Sequence, residues 1–183
     1  YPEHSPAYHE VVVIFRKLCE KVIERDIFFF HSAVVKFNDN GYVFAGQSGV
    51  GKSTHAALWE KVIHGAEVIN GDKPLIKFEN DGLYAYGTPW CGKEMMQKND
   101  KAKICGVCFI EQAKENTISK LNSIQVIGRI FDQTVYMKDP ELNKKMMDLV
   151  NRFISDIPFY LLKCDISEEA VRLAYNTMHT EGK

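Results

Sequence analysis

A polyphosphate needs many close-range donors, a cation and a place for a hard metal ion. The residues from Gly46 to Thr54 are of the types that supply them. Gly46-Gln47-Ser48-Gly49-Val50-Gly51-Lys52-Ser53 fits the pattern G-x4-G-K-[ST] without a mismatch. Glycines allow the chain to curl so that successive backbone amides point inward and form a nest for an anion. A helix expected to begin near Gly51 adds its positive dipole end. Lys52 would place an ammonium on the β- and γ-phosphates, and the Ser53 hydroxyl, followed by Thr54, would help complete a magnesium shell. These features predict that residues 46–54 bind a nucleotide. No N-K-x-D stretch is present to read guanine, since Asn99-Asp100-Lys101 has the wrong order, so ATP with Mg²⁺ is the expected ligand.

A carboxylate is expected at the end of a neighbouring strand, to hold the metal or to accept a proton. Val68-Ile69-Asn70-Gly71-Asp72 supplies Asp72. A second cation is offered by the segment Gly87-Thr88-Pro89-Trp90-Cys91-Gly92-Lys93, where Trp90 could stack on a ligand and Lys93 could neutralise developing charge. The plainer reading of that segment is a loop pinned by a buried tryptophan beside a solvated lysine. His31, in FFFHSAVV, is either catalytic or a buried histidine bonded to backbone. His55 and Lys61 read as ordinary helix residues, and Phe28 to Phe30 as core.

These residues must be positioned by a fold, and the chain of 183 residues is long enough for one compact domain. It opens on Tyr1 rather than a methionine, which leaves room for residues upstream. Apolar residues recur at helical spacing from Tyr8 to Arg25. IFFFHSAVVKF then reads as β, and the turn Asn38-Asp39-Asn40-Gly41 makes a hairpin with YVFAG. A helix is predicted over 51–63, then a strand in AEVIN and a hairpin of PLIKF and LYAYG. An irregular loop over 88–100 precedes the apolar strand KICGVCFIEQ and a short strand in TISKL. Helical patterns over 122–131 and 140–156, a strand in PFYLLKC and a closing helix from Ser167 complete the chain. Early strands joined by tight turns argue for a mixed sheet with flanking helices, not a purely parallel one.

Net charge is −1, which gives no long-range pull toward nucleic acid or anionic lipid. No apolar run approaches the roughly 20 residues of a membrane span. Five cysteines, at 19, 91, 105, 108 and 164, favour reduced thiols and a cytoplasmic setting. Strand alternation is expected to send Cys105 and Cys108 to opposite faces, against a metal site.

The order HSAVVKF, GQSGVGKST and VINGDKP resembles the catalytic domain of HPr kinase/phosphorylase and its relatives with the phosphoenolpyruvate-carboxykinase-like fold. The resemblance is specific over roughly 28–87. It implies an α/β fold with a mixed sheet carrying the phosphate loop, Mg²⁺–ATP, and transfer of phosphate to a hydroxyl of a peptide, protein or small molecule. It also implies that His31 is the family's upstream histidine and Asp72 its metal-associated acid. The family's acid/base carboxylate falls on Gly71, so either Asp72 serves both roles, another group is the base, or the chain is a nucleotide-binding regulatory module. Restoring an acid at 71 would separate these. The later arginine-containing signature of the protein-kinase members is missing, so HPr itself is not implied as acceptor. Carboxykinase chemistry ranks last, for want of room, and a homo-oligomer stays open.

Overall fold

The computed structural model describes residues 5–181, which form five helices and nine strands. Ser5 caps α1 (Pro6–Ile23), its hydroxyl accepting from the Tyr8 amide, with Pro6 preset for the first turn. Three strands follow, β1 (Ile27–Phe29), β2 (Ser32–Phe37) and β3 (Asn40–Ala45), and then α2 (Lys52–Val62). Next come β4 (Glu67–Asn70), β5 (Leu75–Glu79), β6 (Gly82–Tyr86), the long β7 (Lys101–Gln112) and β8 (Thr117–Lys120). The chain closes with α3 (Ser123–Ile130), a 3-10 turn over Phe131–Gln133, α4 (Pro140–Asp156), β9 (Phe159–Cys164) and α5 (Glu168–Glu181). The two hairpin turns fall where Asn, Asp and Gly permit them, and the sheet is mixed: β3–β7 and β7–β9 are parallel, the other ladders antiparallel.

The run expected to be one strand, IFFFHSAVVKF, is interrupted at Phe30 and His31. Its two parts still face one continuous partner. Ile27 pairs with Lys77, Phe29 with Leu75 and Val34 with Asn70, while Phe30 N donates to Pro74 O and Ser32 N to Asp72 O. Because β1 and β2 are successive stretches of this run, the hydrogen-bonded path β2-β3-β7-β6-β5-β1 returns to its start, and the sheet curls on itself.

Alternating side chains of β7 feed two cores. Val107 and Phe109 join Phe28, Phe29, Phe30 and residues of α1, α3 and α4 on one face. Cys108 and Ile110 join Tyr42, Phe44 and residues of α2 and α5 on the other. The expected opposition of Cys105 and Cys108 does not hold. The β3–β7 register slips between Gly41, paired with Ile104, and Tyr42, paired with Gly106. This bulge at Cys105 resets the alternation, and both thiols lie on the α2–α5 side. Burial pushes the Cys105 thiol up to about 12, and no group of three or more metal-ligating side chains occurs among the described residues. In the same residues no helix is long and apolar enough to cross a membrane.

His55 is more than an ordinary helix residue. It is 5% exposed, its ring meets Phe44, and its Nε2 accepts from Trp59 Nε1 at 3.0 Å. Burial holds the imidazole neutral, with its pKa lowered to about 4. In the unfolded chain it would take a proton near pH 6.5, so stability is full above that value. It should fall by on the order of 3 kcal/mol as pH drops from about 6.5 to about 4. Urea titrations across this range should show that slope in the parent and a flatter one in His55→Gln.

Candidate functional site

Residues 46–54 leave β3 and curl into the start of α2. Gly46, Gly49 and Gly51 have φ of 146°, 81° and 105°, a region closed to most side chains. A Cβ on Gly49 or Gly51 would meet nothing within 4 Å, and both glycines line the clefts on either flank of the loop. Helix α2 begins at Gly51 without a side-chain cap. Lys52, only 7% exposed, turns back along the loop, and its Nζ donates to Gly46 O at 3.0 Å and Gln47 O at 3.1 Å. Burial lowers its pKa, against the opposing pull of Asp72.

The antiparallel ladder between 27–37 and 67–77 sets the other half of the site. It brings His31 across from the Asp72–Lys73 pair, 41 and 42 residues further along the chain. His31 Nε2 lies 3.1 Å from Asp72 Oδ1, and Lys73 Nζ donates to Oδ2 of the same carboxylate. Burial pushes Asp72 up, but the bonds and charges of His31 and Lys73 outweigh it and hold the carboxyl at about 2. Its orientation comes from Asn70, fully buried, whose Oδ1 accepts from the amides of Asp72 and Lys73 at 3.0 and 2.8 Å. The Asn70 Nδ2 is fixed in turn by Thr88 O and Oγ1.

A cleft of about 690 Å³ collects the two halves. Ser48, Gly49 and Gly51 to Thr54 line it from one side, His31, Asp72, Lys73, Lys93 and Glu94 from the other. Of the residues the sequence pointed to, Gly46, Gln47 and Val50 lie outside it, bordering a neighbouring cavity of about 390 Å³. Trp90 is half-buried and pins the loop to the core. Its ring packs on Phe15 and Phe29, at 5.4 and 5.8 Å between centroids. Phe28, Phe29 and Phe30 are buried, as expected.

Sequence reasoning missed three polar residues. Asn70 stood within the quoted strand but had no assigned part. Glu94 follows Lys93 in the loop, and its Oε2 and Asp72 Cγ lie 3.6 and 3.7 Å from the point that a Cβ on Gly92 would occupy. Gln133, 5% exposed, reaches the loop from the 3-10 turn. Only Asn70 had a local signal, an Asx residue two positions before the acid.

No family model matches the chain, and no curated protein does. Among solved structures, the HPr(Ser) kinase/phosphatase from Coxiella burnetii is similar at a TM-score of 0.45 and 12% identity. The match covers 85% of this chain and 99% of that one.

Gly71 leaves no room for a Cβ unless its neighbours shift. Its amide donates to Met96 O, and a Cβ there would stand 2.8 Å from Cys91 O and 3.4 Å from the Met96 side chain. Restoring a carboxylate by Gly71→Asp is therefore not the clean test that the sequence suggested. The substitution should cost about 2 kcal/mol through overpacking and lower Tm by ~6 °C in a thermal melt, with no gain in any activity.

Proposed function

We propose that the chain is a single nucleotide-binding domain that transfers the γ-phosphate of ATP to a hydroxyl of a peptide, protein or small molecule. One observation carries this reading: the Lys52 loop and the His31–Asp72–Lys73 cluster open onto the same cleft. The polyphosphate lies in the glycine curl, where the uncapped first turn of α2 offers its amides and Lys52 moves from the loop carbonyls to the phosphate oxygens. A second cleft of about 470 Å³ begins on the other flank of the same loop, between Leu58, Ile110 and Ile166, and gives the base an apolar slot.

Ser53 and Asp72 line one cleft, and a hydroxyl and a carboxylate are hard oxygen donors of the kind magnesium prefers. When bound there, the ion would neutralise phosphate charge and orient the β- and γ-oxygens. Asp72 suits that duty because a carboxyl held at about 2 stays ionised throughout the working pH range, and because a group so acidic is a weak proton acceptor. Glu94, exposed at the same cleft, takes the base's part. The acceptor oxygen bonds to the γ-phosphorus, the bridging bond to ADP breaks, and the hydroxyl proton passes to the Glu94 carboxylate. Lys93 and Lys73 balance charge on the acceptor side, and His31 keeps Asp72 in place.

A nucleotide-responsive module without turnover is the second reading, favoured by the sealed position at Gly71. Labelled ATP incubated with peptide and metabolite pools should yield a phosphorylated product. ATP binding without any transfer would leave the second reading in its place. Lys52→Ala should abolish ATP binding measurable by calorimetry, and retained affinity would overturn the loop's assignment. Glu94→Gln should lower kcat by roughly 10²-fold or more while ATP affinity changes less than threefold. An unchanged kcat would remove Glu94 as the base.

A further inference from the structure

The β2–β3 ladder ends at Ser32 and Ala45. The next pair in that register would be His31 and Gly46, and these two residues are not joined to each other. Gln133 stands between them. His31 N donates to the Gln133 backbone carbonyl at 2.7 Å. The Gln133 side-chain amide lies against two acceptors, His31 O and Gly46 O; assigned the orientation that these acceptors require, with its nitrogen toward them, it donates to both at 3.0 Å. One residue thus replaces the missing rung with three hydrogen bonds, two to the histidine beside Asp72 and one to the first glycine of the loop.

The bond to Gly46 matters because its carbonyl already serves Lys52, whose Nζ lies 3.0 Å away. Gly46 is buried, and a buried carbonyl left with no donor is costly. Its two lone pairs accept one bond from Lys52 and one from Gln133. If Lys52 alone held that carbonyl, moving the ammonium to a phosphate would strand it.

We propose that Gln133 is a positioning residue for anion binding: it keeps the Gly46 carbonyl bonded so that Lys52 is free to leave it, and locks His31 at the same point. The proposal rests on the reading of residues 46–54 as a phosphate cradle. Gln133 touches neither the phosphate nor the acceptor. It acts through Lys52 and His31.

The test measures ATP dissociation constants by calorimetry from pH 5 to 8 for the parent, Gln133→Met and Gln133→Glu, each reported as a ratio to the parent at the same pH. Thermal melts identify any loss of folding. Gln133→Met removes the donor at nearly constant volume and should weaken ATP binding roughly tenfold at every pH. Gln133→Glu sets an acceptor-only carboxylate against two carbonyls at pH 8 and should bind more weakly still. At pH 5, as the introduced carboxyl takes a proton and regains a donor, its ratio should return toward one. A role confined to stability would lower Tm without that binding-linked recovery. Ratios within twofold of one for both variants, or loss of folding in both, would overturn the proposal. Failure of the parent to bind ATP would instead overturn the phosphate reading, and this one with it.

Discussion

The register of one antiparallel ladder governs the site. Residues 27–37 run against 67–77, and Ser32 N bonded to Asp72 O fixes which side chains meet across the break at Phe30 and His31. A slip of one residue would turn His31 away from Asp72 and also send Val34 from the core on one face of the sheet to the core on the other, where Ala33 and Val35 now pack. The buried face of the strand therefore specifies the polar cluster. The hydrophobic pairing that stabilises β1 and β2 is the same constraint that aims an imidazole at a carboxylate.

Two chain breaks make the site open instead of continuous sheet. At Phe30 and His31 the strand is interrupted, and at Gly46 β3 gives way to the curl before α2. These breaks are neighbours in the β2–β3 register, and Gln133 fills the gap between them. The loop thereby leaves the sheet without orphaning the backbone groups at its root, which a buried polar segment must otherwise avoid. Lys52 folded onto Gly46 O and Gln47 O and Lys73 bonded to Asp72 show the same logic in side chains. Each of these charges has an internal partner.

The loop from Thr88 to Gln97 closes the other wall. It is pinned by Trp90 on Phe15 and Phe29, by Thr88 on Asn70 and by the Met96 carbonyl on the Gly71 amide. Gly71 is small because that loop lies directly upon it. Glu94 is carried to the cleft by the same loop, on the side that holds Asp72.

The sequence by itself determined the motif at 46–53, the turns at Asn38–Gly41 and Asn80–Gly82, the helices and strands, and the mixed pairing that tight turns require. All of these are local signals: glycine φ, turn chemistry and apolar period act over a few residues. Only the tertiary structure decided that His31 faces Asp72, that Gly71 has no room for a side chain, that Cys105 sits on a bulge, that Glu94 lines the cleft and that Gln133 lies against the root of the loop. The physical reason is that each of these depends on register between segments far apart in the chain. Register is chosen by burial summed over a whole ladder and leaves no mark on the residues beside it. Gln133 is the clearest case, a glutamine in a 3-10 turn whose partners are 87 and 102 positions away.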